Sequence, residues 1–341
     1  MFRLLGILFT VLFAIATVVL AWPQFFHLEQ TFPITQLVAA RGLVVLAYLG
    51  ILILALLLAI ARPLRGFAAS IAIVALLGAA ASAGVGAVRG VAPSALPEKT
   101  AESVRVLAWN TAGEAVAAEE IAQTIVEQKA DIVALPETTE AVGEEIAIML
   151  RDQGRPMWVH HVQFRPEVER GPDSWQTTLL ISPNLGDYSV IQSSADGSSN
   201  TGSVPSAVVM PVDGKGPTVV AVHTVAPRPD DMDGWREDLR WVADQCPGGN
   251  VIMAGDFNAT VDHMGELGKN GGDLGACLDA ASRTGAGALG TWPTSLPSLA
   301  GAPIDHVMAT AQWRASGSQV LDGNANGSDH RALIAQLEPV R

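Results

Sequence analysis

The sequence predicts an α/β sandwich, with sheets flanked by helices, preceded by three transmembrane helices. Three observations lead there. The apolar residues are concentrated in the first 90 positions as three long uninterrupted stretches. From residue 104 onward, short β-rich apolar runs alternate with turn clusters. Between those runs lie segments whose apolar residues recur at helical spacing.

The long stretches cover residues 4–22, 42–61 and 67–88, each near the roughly 20 residues that a helix needs to cross a hydrocarbon core. Buried core helices would carry a single apolar stripe, whereas here apolar residues lie all round the helix. A signal peptide is a second reading of the first stretch, since Arg3 precedes it. Two further spans follow directly, and no small-residue cleavage site precedes a soluble domain at the right distance. Arg3, Arg62 and Arg65 place the amino terminus and the 62–66 turn on the cytoplasmic side, with Arg41 and Arg89 working against that bias. The expected layout is a membrane domain over 1–90, a linker over 91–103 containing two prolines, and an extracytoplasmic domain over 104–341.

Charge divides the chain at the same place. The first 90 residues carry five arginines and a single acid, Glu29, which leaves 16 basic against 33 acidic residues in the remainder, about −17. Polynucleotide binding normally rests on a basic footprint and counterion release, and that footprint is missing. Both cysteines, Cys246 and Cys277, fall in the acidic part and belong to no CxxC or Cys/His cluster, which argues against a zinc site. An oxidising compartment would permit a bridge between them, closing a loop of about 30 residues; two unrelated buried thiols are the other reading.

Strands are expected at 104–109, 131–135, 177–182, 207–212, 218–223, 250–255, 304–309 and 332–337. Helices are expected at 118–129, 141–151 and 232–245, and surface loops at 192–203, 265–276 and 322–328. No internal repeat is present. Acidic, amide and imidazole residues recur at the strand ends, where loops could bring them into one cleft. Asn110 ends the first strand, Glu137 follows the second, and His223 ends another. Gly255-Asp256-Phe257-Asn258-Ala259 closes the most apolar strand; Asp305-His306 opens the next-to-last, and Ser328-Asp329-His330 leads into the last. Each alone is ordinary turn or surface chemistry.

In this order they resemble the endonuclease/exonuclease/phosphatase superfamily, with Gly-Asp-Phe-Asn-Ala and Ser-Asp-His as the specific elements. The resemblance spans the whole outer domain and implies a four-layer α/β sandwich of two packed mixed sheets with the site at one edge. It also implies a hydrolase that cleaves phosphate esters with Mg²⁺ or Mn²⁺, held by Glu137 with Asn110 and Asp329 beside it. Oxygen ligands suit such hard cations. Asp256 would orient or deprotonate the attacking water, and Asn258, two residues on along an extended segment, would donate to a phosphate oxygen. His330 would contact the scissile phosphate with Asp305 fixing its tautomer, and His223 would stabilise the phosphate or protonate the leaving group. Pro136 stands where many members have Gln. His306, His160, His161 and His263 are read as structural or surface residues, and Trp292 as core or groove lining.

The membrane anchor directs the substrate expectation. A domain tethered at the outer face samples headgroups at high effective concentration, so a lipid-linked phosphate is expected, either a phospholipid ester or a polyprenyl phosphate or pyrophosphate. Membrane-bound members associated with glycopeptide resistance in actinobacteria are similar in layout and imply a polyprenyl-pyrophosphate phosphatase. An extracellular metal-dependent nuclease and a catalytically silent binding module are the competing classes.

Overall fold

A computed structural model describes residues 2–92, 95–168, 171–192, 200–321 and 327–340. It divides into two compact units, Met1–Val88 and Arg89–Arg341. The first holds α1 (Phe2–Ala21), the short α2 (Ile34–Ala39), α3 (Arg41–Leu58) and most of α4 (Arg65–Arg89). Three of these helices are long and apolar enough to cross a membrane. They pack through Tyr48, whose hydroxyl lies 3.1 Å from Thr17 Oγ1 and whose ring covers Gly78. A Cβ on Gly78 would come within 2.6 Å of that ring, so the small residue is what admits the aromatic one.

The second unit is built from β1 (Val104–Ala108), α5 (Ala118–Gln128), β2 (Ile132–Pro136), α6 (Glu140–Asp152), β3 (Trp158–Gln163), β4 (Gln176–Ile181), β5 (Tyr188–Gln192), β6 (Ala207–Pro211) and β7 (Thr218–His223). It continues through α7 (Met232–Asp244), β8 (Val251–Asp256), α8 (Val261–Met264), β9 (Leu278–Asp279), α9 (Ala280–Arg283), β10 (Asp305–Ala309), β11 (Trp313–Val320) and β12 (Leu333–Pro339). The strands form two six-stranded sheets, ordered β11-β12-β1-β2-β4-β3 and β5-β6-β7-β8-β10-β9. Both are mixed: β1/β2 and β7/β8 are parallel, and the flanking pairs are antiparallel.

Three apolar clusters account for the layering. Val106, Ala108, Ile132, Ala221, Ile252 and Val307 fill the space between the sheets. The alternate residues of the same strands point outward: Leu107 and Val133 meet Ile121, Ile125 and Ile146 of α5 and α6, while Val220 and Met253 meet Trp235 and Leu239 of α7. Period-two alternation in strands buried on both faces therefore dictates a four-layer sandwich.

All eight expected strands and the three expected helices form, with ends shifted by a residue or two. Four strands escape the sequence reading. β3 carries His160 and His161 in mid-strand, β11 contains Gly317 beside a register shift, and β5 and β9 are edge strands too short or irregular to show a pattern. The expected loops at 192–203 and 322–328 fall largely outside the described residues. The 265–276 stretch is tied down by the Cys246–Cys277 disulfide at its end. Closing 31 residues in this way contributes about 3–4 kcal/mol in the chain-entropy picture.

The segment expected to be a linker lies along the second unit. Arg89 makes two 2.7 Å bonds to Asp262, Gly287 N–H and Ala288 N–H donate to the carbonyls of Arg89 and Gly90, and Lys99 pairs with Asp131. Buried Arg105 on β1 donates to Pro97 O, Gln128 O and Gln336 Oε1, each at 2.9 Å. Among the described residues of this stretch, Arg89, Gly90, Ala92, Pro97 and Lys99 are thus bonded to the domain.

One glycine connects fold and site. Gly255 has φ +140° between Ala254 and Asp256, and a Cβ there would lie 2.1 Å from the Val222 carbonyl oxygen across the β7/β8 pair. Gly255→Ala should therefore lower unfolding free energy by about 2 kcal/mol or more. Chemical denaturation followed by tryptophan fluorescence would check this, and an unchanged midpoint would show that the pair can spread without cost.

Candidate active site

The parallel register of β7 and β8 sets His223 opposite Asp256, and the antiparallel register of β8 and β10 sets Asp256 opposite Asp305. Paired residues on adjacent strands share a face, so one rung of the second sheet presents an imidazole and two carboxylates side by side. The first sheet supplies Asn110, Glu137, Asp329 and His330 from the ends of β1, β2 and the turn before β12, and Asn258 follows β8 of the second. All eight residues expected from the sequence stand at this one edge, where the ends of the two sheets face each other.

The tightest contact is between His330 Nδ1 and Asp305 Oδ2, 2.8 Å apart with both side chains buried. The other ring nitrogen, Nε2, lies 3.8 Å from Asp256 Oδ2. Burial opposes a charge on His330, but Asp305 and Asp256 outweigh it and push the imidazole up to about 10. His330 is therefore an imidazolium at neutral pH. Burial, tempered by His330 and reinforced by Asp305, holds the Asp256 carboxyl up at about 7. Asp256, Asp305 and His330 each bring a ligand atom within 4.8 Å of the others, so this buried group could hold a metal ion.

Asn110 bridges the two sheets. Its amide Nδ2 donates to Glu137 Oε1 and Asp256 Oδ2, both at 3.1 Å, while its Oδ1 accepts from Ala112 N–H. The amide nitrogen thus faces the carboxylates. Glu137 sits at φ +61° on the turn leaving β2 and keeps 27% of its side chain exposed. Burial, with repulsion from Asp329 and Asp173, raises its carboxyl above the ordinary value despite help from Asn110 and His330.

Two sequence expectations are corrected in detail. Asn258 does reach Asp256, donating to its Oδ2 at 3.1 Å, but from a left-handed turn with φ +43° and not from an extended segment. The backbone turns because Asn258 N–H bonds Asp256 Oδ1 and its side chain donates to Thr224 O. His223 is 2% exposed, and burial aided by the charge on His330 drops its imidazole to about 3. A neutral His223 can stabilise an oxygen by hydrogen bonding, whereas protonating a leaving group is at odds with that environment. Its Nε2 is 3.8 Å from Glu137 Oε1, beyond hydrogen-bond reach.

The supporting residues were largely invisible in sequence. Ser328 Oγ donates to Asn110 O and accepts from His330 N–H, and Trp109 Nε1 donates to His330 O at 3.1 Å. Thr291 Oγ1 accepts both Ile304 and Asp305 N–H groups. Trp292, 41% exposed, donates its indole N–H to Asp329 Oδ2 at 2.8 Å. His306 lies behind the site, with Nδ1 2.8 Å from Asp279 Oδ1 and Nε2 2.9 Å from Ala259 O. His263 accepts from Thr260 N–H as part of the cap of α8, and His161 Nδ1 lies 3.0 Å from Thr178 Oγ1.

Among solved structures, the chain is similar to an endonuclease/exonuclease/phosphatase from Beutenbergia cavernae, with 18% identity, 70% of this chain and 72% of that one covered, and a TM-score of 0.53. A family protein from Leptotrichia buccalis (14% identity, 69% and 99% covered, TM-score 0.50) and a humanised D. rerio TDP2 (14%, 70% and 99%, 0.50) share the fold. Curated protein sequences return no match. The Endonuclease/Exonuclease/phosphatase family model matches residues 107–330, from β1 to the imidazolium. With its two packed mixed sheets and ordered site, the chain belongs to the endonuclease/exonuclease/phosphatase family.

Proposed function

We propose that the chain is a membrane-anchored, divalent-metal-dependent phosphoesterase that cleaves a phosphate ester or pyrophosphate bond of a membrane lipid or polyprenyl carrier at the outer leaflet. Its family typically comprises hydrolases of phosphodiester bonds that commonly use a divalent metal. The observation that carries the membrane-substrate reading is the presence, in the same chain, of three membrane-length helices joined to the hydrolase domain. The acidic outer composition and the Cys246–Cys277 bridge support an extracytoplasmic, non-nucleic-acid role.

The donor set suits an oxygen-preferring cation. Within the buried group, a cation would compete with the 2.8 Å His330–Asp305 bond and with the charge of the imidazolium. Glu137 and Asp329, which repel each other and line the exposed side, are the better holders. There the cation would neutralise phosphate charge, while the remaining residues do the rest. Ionised Asp256 accepts a proton from water or aligns it, with Asn110 and Asn258 holding its oxygens. His330 Nε2 presents a fixed positive N–H to a phosphate oxygen, and Asp305 keeps it charged.

The direct test is turnover of the full chain in detergent with added Mg²⁺ or Mn²⁺, against lipid phosphates, a polyprenyl pyrophosphate, sugar phosphates and DNA, with EDTA as control. EDTA-sensitive phosphate release from the lipid substrates alone is the expected result; cleavage confined to DNA would replace this reading with that of a nuclease. Glu137→Gln and Asp256→Asn, which leave no buried charge unpaired, should each cost about 100-fold or more in kcat/KM with little change in unfolding temperature. Wild-type turnover by either would remove it from the site. Because Asp256 is protonated below about 7, kcat/KM should fall as pH drops through that value, and rising Mn²⁺ should move this acid limb to lower pH. A limb indifferent to metal would separate Asp256 from the cation. For topology, Lys215→Cys should react with an impermeant maleimide on intact cells; labelling only after permeabilisation would reverse the orientation.

A further inference from the structure

The loop from Gly290 to Leu296 is bound to the Ser-Asp-His turn along its whole length. Arg331, buried two residues past Asp329, gives its guanidinium to the carbonyls of Pro293, Thr294 and Leu296, and its backbone N–H to Thr291 O. Thr294 returns the contact, its N–H donating to Asp329 O at 2.9 Å and its hydroxyl to Ser328 O. Thr291 at the loop's start accepts the Asp305 N–H, so the same loop touches Asp305, which bonds His330, and the residues on either side of His330. Out of this fixed loop stands Trp292, a large apolar side chain left 41% exposed, and its one polar atom is spent on Asp329 Oδ2 at 2.8 Å.

An exposed carboxylate on a turn samples several rotamers, and fixing it on ligand binding costs side-chain entropy. A charge-assisted bond from a planar donor on a rigid loop removes that cost in advance and orients the carboxylate. We propose that Trp292 is a positioning residue for the cation site, its indole N–H holding the Asp329 carboxylate ready to bind a divalent ion, with Arg331 anchoring the loop that carries it. This rests on the reading of Asp329 as a metal-holding residue. The carboxylate is bound through one oxygen to the indole and retains its second for the cation. Trp292 itself touches neither the ion nor the reacting atoms.

The test is Mn²⁺ binding to the full chain in detergent, measured from the free-ion electron paramagnetic resonance signal for wild type, Trp292→Phe, Asp329→Ala and the double variant. Trp292→Phe keeps an aromatic ring and deletes the N–H, and it should weaken Mn²⁺ by about 10-fold, the scale on which partners of metal ligands act. In the Asp329→Ala background the same change should have no further effect, because the bond it removes no longer exists. Full-strength binding by Trp292→Phe, or an equal loss with and without Asp329, would overturn the proposal. Unchanged binding in Asp329→Ala would instead overturn the metal-holding reading on which it stands.

Discussion

The contact on which the site depends is the buried 2.8 Å pair of His330 and Asp305. A charged imidazole in a protein interior is costly unless a counter-charge is fixed beside it, and removing one partner of such a pair costs about 3–5 kcal/mol. The rest of the edge can be derived from keeping this pair in place. The β8/β10 register puts Asp305 beside Asp256, Ser328 and Trp109 hold the His330 backbone, and Thr291 holds the Asp305 backbone. A positive charge so fixed favours ionised Asp256 and lowers Glu137, partly offsetting what burial does to both. The same charge helps keep His223 neutral. Burial and this fixed charge together set the protonation pattern of the cleft.

Much of this was legible in sequence because it is local. Apolar length pointed to three helices long enough to cross a membrane, period-two alternation to eight strands, and residue type at strand ends to eight residues that the fold brings to one edge. Register was not legible: that His223, Asp256 and Asp305 share one rung follows from two pairings, Asp256 with His223 and with Asp305, that join residues 33 and 49 positions apart. Nor was hydrogen-bond orientation, which turns Asn110 nitrogen-first toward the carboxylates and bends Asn258 into a left-handed turn. The stretch expected as a linker over 91–103 has the composition of one, and its contacts, Arg105 with Pro97 and Asp131 with Lys99, are not written in that composition.

Acidity and the anchor also acquire a joint physical sense. A domain carrying an excess of negative charge does not bind polyanions by counterion release, so its affinity for a phosphate substrate must be generated locally. On the proposed function, a cation held by Glu137 and Asp329 would supply it together with the His330 imidazolium, while helices that span a membrane would restrict the search to a surface. On the same reading, general charge attraction, useful to an enzyme hunting for polymers in solution, would be unnecessary for one that shares a bilayer with its substrate.

The hold of Asp305 on the His330 charge can be read by ¹⁵N-imidazole NMR of the metal-free protein across pH, comparing wild type with Asp305→Asn. In wild type His330 should remain protonated well beyond pH 8, on the way to about 10, and in Asp305→Asn it should titrate markedly lower. Titration of wild-type His330 near its ordinary value, or the same curve in both proteins, would contradict the account.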